Sequence, residues 1–251
     1  MIFKKDKPDP ANATAIQRGG PVYLMGFPRS GTNFLQNVVR NSSKRLINNM
    51  YNLEDDPDAH LIIKSHAPSY PHLLGEVGQF AQGISSLPGR FIIIWRDPRD
   101  MMISYYEFMK SRFGIEVAQA DFLQATTYHR RQPGFEELSI EQAFRLFVSA
   151  WHKPNYDVGD GGLQNRVAIN LRHEDVTGDP QTWFGRVFEF LGIDCTLAES
   201  ALKVRTSQHS SVRENRGAVS GWKANADVFG DLIESTESLL GAEIDRLGYR
   251  E

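Results

Sequence analysis

Apolar residues fall in short unbroken runs along this chain, and the runs alternate with stripes at helical spacing. Val22 to Met25, Leu61 to Ile63 and Phe91 to Trp95 carry consecutive apolar side chains rather than alternating ones. A strand buried on both faces reads that way, and such strands belong to parallel sheets with helices outside. Three strands are therefore predicted, at Val22 to Met25, His60 to Lys64 and Arg90 to Trp95, and Val167 to Leu171 gives a fourth.

Helices are expected between and after them. Phe34, Leu35, Val38 and Val39 recur at helical spacing within Thr32 to Arg40. Pro98 stands at a helix N1 position, and Met101, Met102, Tyr105 and Phe108 follow it. Ile140 to Trp151 buries Ala143, Phe144, Phe147 and Trp151 along one stripe. Pro180 to Leu191 presents Trp183, Val187, Phe188 and Leu191, and Gly192 stops it. Leu232 to Leu247 closes the series. The pattern predicts a three-layer α/β fold with a central, mainly parallel sheet flanked by helices. Residues 1–20 are polar and read as an N-terminal arm, and residues 21–251 read as a single α/β domain. The polar stretch Thr206 to Asn225 reads either as a surface loop or as a lid over an anion.

The first strand, turn and helix form a P-loop-like unit. Gly26-Phe-Pro-Arg-Ser-Gly31-Thr32 joins them. Such a turn aims backbone N–H groups at an anion, and the helix start adds partial positive charge. The glycine spacing matches a Walker A loop, but threonine follows Gly31 where a nucleoside triphosphatase carries lysine. Two further basic clusters, Lys64-Ser-His66 and Arg96-Asp-Pro-Arg-Asp100, lie at the C-terminal ends of the second and third strands. In a doubly wound sheet those ends gather on the ligand side.

With these residues in place, the chain resembles the sulfotransferases that use 3'-phosphoadenosine 5'-phosphosulfate. Phe27-Pro-Arg-Ser-Gly-Thr-Asn-Phe34 is similar to their 5'-phosphosulfate loop, and Ile62-Ile-Lys-Ser-His-Ala-Pro68 to their segment with the catalytic lysine and histidine. Phe91 to Phe108 is similar to their 3'-phosphate strand and helix, and Leu171 to Asp175 to a later Tyr-Glu-Asp segment. Arg216-Gly217 with Trp222-Lys223 resembles their late loop.

The resemblance implies sulfuryl transfer to a hydroxyl or amine of a small-molecule or carbohydrate acceptor, leaving 3'-phosphoadenosine 5'-phosphate. It implies that Arg29, Ser30, Gly31, Thr32 and Asn33 cradle the 5'-phosphate, with Phe34 at an adenine-stacking position. Arg96 and Ser104 would hold the 3'-phosphate, Arg216 and Gly217 would close over it, and Thr206 and Ser207 would lie near the nucleotide. His66, Lys64 and Arg29 fall at the reaction centre, His66 as general base. Departures are also visible. Arg29 replaces a frequent lysine, His173 a frequent tyrosine, Asn215 the first arginine of the late loop, and Gln208 a common phenylalanine.

Composition narrows the alternatives. The 251 residues are 41% apolar and 24% charged, enough apolar material for a sizeable core. The formal net charge of -3 offers no global field for nucleic acid, so any anion site is local. The lone Cys195 cannot form an intramolecular disulfide and reads as structural, in keeping with a reducing compartment. No apolar run is long enough for a membrane span, and a cytoplasmic location is expected. The histidines form no short metal-ligand motif, so no metal is expected. Phe113, Phe122, Tyr128, Phe135, Trp151 and Tyr156 could line an acceptor pocket or belong to the core. The rival readings are a nucleotide or small-molecule kinase, a non-catalytic nucleotide-binding module, and an ester hydrolase.

Overall fold

Five strands build the sheet in the computed structural model, which describes residues 22–43, 46–47, 60–65, 90–126, 138–152, 168–197, 202 and 221–250. They are β1 (Val22–Met25), β2 (Leu46–Ile47), β3 (His60–Ser65), β4 (Arg90–Trp95) and β5 (Ala168–Arg172). The order across the sheet is β2-β3-β1-β4-β5, and every pair is parallel. β1 is therefore central, with β3 on one side and β4 on the other, and their C-terminal ends share one edge of the molecule.

The unbroken apolar runs are explained by what covers each face. In β4, Phe91, Ile93 and Trp95 pack into one cluster while Ile92 and Ile94 pack into another. β1 divides likewise, with Tyr23 and Met25 on the first side and Val22 and Leu24 on the second. Alternate side chains point to opposite faces, so only a sheet covered twice buries them all.

The second face receives α1 (Thr32–Ser43) and α5 (Pro180–Leu191), through Leu35, Val38, Val39, Phe184, Val187 and Phe188. The first face receives α2 (Pro98–Phe113), α3 (Ile140–Trp151) and α7 (Ala226–Arg246), with the short 3-10 helix Gln119–Gln124. Two further short helices are α4 (His173–Gly178), which follows β5 directly, and α6 (Gly221–Ala224).

Local signals set the helix ends. Asp97 caps α2 by accepting from the Arg99 N–H at 2.9 Å, Pro98 opens the helix, and Gly114 closes it at φ 64°. Ser139 and Gln142 form a reciprocal capping box on α3. Asp179 caps α5, and Gly192 ends it at φ 69°. Phe122 and Trp151 lie fully inside the core, whereas Phe113 is 39% exposed. Tyr128, Phe135 and Tyr156 lie outside the described residues. The half-buried Cys195 thiol donates to the Ser42 carbonyl at 3.3 Å, and burial raises its pKa.

Candidate anion-binding site

The turn from β1 into α1 is shaped by close approach. A Cβ on Gly26 would stand 2.4 Å from Ser30 Oγ and 2.5 Å from Thr32 Cγ2, so the turn folds back on itself where no side chain fits. Arg29 adopts φ 74° and Gly31 φ 106°, both in the left-handed half of backbone space. The Ser30 N–H closes the turn on the Phe27 carbonyl at 3.1 Å, and the Gly31 carbonyl accepts from Leu35 as α1 begins. A helix start leaves its first amides without intrahelical carbonyls, and α1 starts beside the edge where β1, β3 and β4 end.

Ser30 is 1% exposed, and its hydroxyl has no hydrogen-bond partner among the described residues. A buried hydroxyl in a turn of this form suits an acceptor oxygen supplied by a ligand. Thr32 is buried as well, Asn33 is exposed, and Phe34 is half-buried. Phe34 stands edge-on to His173 at 6.2 Å and to Phe184 at 5.9 Å.

Two arginines meet at this turn. Arg29 sends Nε to the Ser104 hydroxyl at 3.1 Å and lays its guanidinium over the Phe108 ring at 5.0 Å. Arg96, at the end of β4, reaches back and donates to the Arg29 carbonyl at 3.3 Å. Ser104 and Phe108 lie one turn apart on α2, so one helix face receives the loop arginine. Arg29, Arg96 and Ser104 thus meet beside the turn that holds Ser30.

Burial governs the electrostatics. Desolvation lowers the Arg96 pKa, and the Asp100, Glu174 and Asp97 carboxylates oppose that. Asp100 is 5% exposed, and burial raises its pKa to about 6 although Arg96 pulls the other way. Its Oδ1 accepts from the Trp222 backbone N–H at 2.6 Å. His173 is buried against Gly31, where an added Cβ would stand 2.4 Å from its Cδ2. Burial, with help from the Arg96 charge, depresses its pKa to about 3, so the ring is neutral at ordinary pH.

The other sequence-derived positions are only partly described. Lys64 pairs in register with Leu24, two residues before the turn, and its backbone alone is described. His66, Thr206, Ser207, Arg216 and Gly217 lie outside the described residues. Sequence reasoning did not assign parts to Phe108, Asp100, Glu174 or Tyr249, which face the arginines or brace them.

Among the described residues there is no cluster of His, Cys, Asp and Glu able to hold a metal ion, and no helix long and apolar enough to cross a membrane.

A family model described as "Sulfotransferase domain" matches residues 20–222. The crystal structure of mouse sulfotransferase SULT7A1 complexed with PAP superposes with a TM-score of 0.58 at 14% sequence identity, covering 95% of this chain and 90% of that one. At that identity the likeness speaks for the fold. No curated protein sequence matches the chain.

Proposed function

From the premise that this chain belongs to the sulfotransferase domain family, we propose that it moves a sulfuryl group from 3'-phosphoadenosine 5'-phosphosulfate to a hydroxyl or amine of a small-molecule or carbohydrate acceptor. The observation that carries this reading is the meeting of Arg29 and Arg96 at one turn, with the Ser104 hydroxyl between the loop and α2. A nucleotide bearing two separated anionic groups fits a crevice with a backbone cradle at one end and a buried guanidinium at the other.

The residues present suit that nucleotide on two counts. The Gly26–Gly31 turn is closed to side chains at Gly26, and it holds a buried Ser30 hydroxyl with no partner among the described residues. The donor, when bound, supplies an activated sulfuryl group on a phosphate leaving group. The chain's own part is placement and charge neutralisation, as in phosphoryl transfer.

The amides of the turn and the first turn of α1 would bind the 5'-phosphate, together with Ser30, Thr32 and Asn33. Phe34 would lie toward the adenine. Arg29 keeps its charge at all working pH values, so its role is to neutralise rather than to return a proton. Arg96 and Ser104 would take the 3'-phosphate, with Thr206, Ser207, Arg216 and Gly217 completing the nucleotide site. His66 would accept the acceptor's proton, because an imidazole of ordinary pKa is mostly neutral at pH 7. Lys64 would add positive charge beside it.

Calorimetry tests the donor. 3'-Phosphoadenosine 5'-phosphate should bind without magnesium and more tightly than ATP with magnesium. The reverse order would favour a kinase. A screen with labelled donor then tests turnover and finds the acceptor class. In that assay His66→Ala should lose about 10²-fold in turnover while keeping nucleotide affinity. Turnover near that of the parent would remove His66 from its role. Binding of the donor product with no transfer to any acceptor would favour a non-catalytic module.

A further inference from the structure

The peptide that follows Arg96 is gripped from outside its own strand. The Asp97 N–H donates to Glu174 Oε1 at 2.8 Å. Glu174 lies in the first turn of α4, immediately after β5. Its other oxygen, Oε2, accepts from the Tyr249 hydroxyl at 2.9 Å. One carboxylate therefore ties together the end of β4, the start of α4 and the segment that follows α7.

That last segment is built to reach there. After α7, Gly248 takes φ 73°, its N–H returns to the Asp245 carbonyl at 3.0 Å, and the Tyr249 N–H returns to Ile244 at 2.9 Å. The turn sends Tyr249 back against the sheet edge, where it is 7% exposed. The Arg172 guanidinium covers its ring at 4.1 Å and donates to the Gly248 carbonyl at 3.0 Å. From the other side Arg99 donates to the Tyr249 carbonyl at 2.7 Å while holding both oxygens of Asp97. Burial and the Glu174 charge raise the tyrosine pKa, so the hydroxyl keeps its proton and remains a donor.

We infer that Tyr249 is a positioning residue for the Arg96 anion subsite, acting through Glu174 on the Arg96–Asp97 peptide. The inference rests on the proposed nucleotide site. The peptide plane after Arg96 sets where its Cα–Cβ bond points. A guanidinium at the end of a long side chain magnifies small rotations there. Fixing the Asp97 amide therefore fixes the fork that would receive the 3'-phosphate. Losing the hydroxyl leaves a partly buried carboxylate oxygen without its donor, and a carboxylate left unsatisfied there is costly unless it turns to another donor. The Arg96 charge already faces Glu174.

The test compares 3'-phosphoadenosine 5'-phosphate with adenosine 5'-phosphate by calorimetry, in the full chain. Their affinity ratio reads the 3'-phosphate alone. Tyr249→Phe keeps the ring under Arg172 and removes only the hydroxyl. It should reduce the ratio about fivefold or more, through weaker binding of the 3'-phosphorylated nucleotide, with adenosine 5'-phosphate unchanged. Glu174→Gln can still accept from the Asp97 amide and can donate to the tyrosine oxygen, so it should keep the ratio within about twofold of the parent or raise it.

An unchanged ratio in Tyr249→Phe would overturn the inference. So would equal weakening of both nucleotides, which is what a merely structural role predicts, or loss of the ratio in Glu174→Gln. A parent protein with no preference for the 3'-phosphorylated nucleotide would overturn the reading of Arg96 and this inference with it. A preference intact in the parent and in Tyr249→Phe would overturn the inference alone.

Discussion

Arg29 and Ser104 are joined by a 3.1 Å hydrogen bond between the turn after β1 and the middle of α2. The bond holds the guanidinium against α2 instead of letting it swing into solvent. The Phe108 ring, 5.0 Å from the guanidinium centre, supports the same orientation. Charge placed before a reaction is usually the largest single contribution an enzyme makes.

The pair should therefore act as a unit. Arg29→Ala should cost about 10²-fold or more in kcat, and Ser104→Ala about tenfold in kcat/KM. The double variant should lose less than the product of the two single losses, because Ser104 no longer orients the arginine while its contact to the 3'-phosphate remains. Steady-state kinetics on all three proteins checks this. Strictly multiplicative losses would mean that the two residues work independently.

Arg96 supplies a different prediction. It is 8% exposed, it braces the Arg29 carbonyl, and its charge faces Asp97, Asp100 and Glu174. Lysine at this position keeps one charge but loses the planar fork. Arg96→Lys should weaken 3'-phosphoadenosine 5'-phosphate by about tenfold or more, measured by calorimetry. Affinity equal to the parent would place the 3'-phosphate elsewhere.

Much of this arrangement was legible in the sequence because its causes are local. Phe91 to Trp95 announced a strand buried on two faces, and alternate residues do enter opposite clusters. Pro98 and Gly192 marked helix ends that the structure keeps. The departures have physical reasons. β2 is only two residues, too short for any periodicity. The last helix begins at Ala226 rather than Leu232, and its geometry is interrupted at Phe229, φ -120°, before the predicted stretch starts. Trp183 is half-buried under Arg186 at 4.6 Å, while Phe184 takes the core position. The ties from Tyr249 through Glu174 to Asp97 join residues distant in the chain. Pairings of that kind leave no period in the sequence and need the fold to become visible.

Gly26 tests the close approach in the turn. An added methyl would lie 2.4 Å from Ser30 Oγ, 2.5 Å from Thr32 Cγ2 and 2.9 Å from Ile94 Cγ2. Three neighbours cannot all retreat in a packed site, so Gly26→Ala should cost about 1–3 kcal/mol of stability and distort the cradle. Thermal or denaturant unfolding measures the first effect, and calorimetry with 3'-phosphoadenosine 5'-phosphate the second. A variant matching the parent in both would show that the turn has room to relax.

His173 makes stability depend on pH with a definite sign. Its pKa falls from 6.5 to about 3 in the fold, because the ring is buried and Arg96 repels the charged form. Below pH 6.5 the unfolded chain takes up a proton that the folded chain refuses. Stability from this group is therefore complete above pH 6.5 and is lost progressively down to about pH 3, by up to about 5 kcal/mol. Asp100 works in the opposite sense, since its raised pKa of about 6 makes the fold bind the extra proton between about pH 4 and 6. Subtraction isolates the histidine. His173→Gln cannot titrate, so the parent should lose stability relative to it as pH falls from 7 to 4, in urea unfolding at each pH. A difference that stays flat across that range would mean that the histidine ring accepts its proton inside the fold.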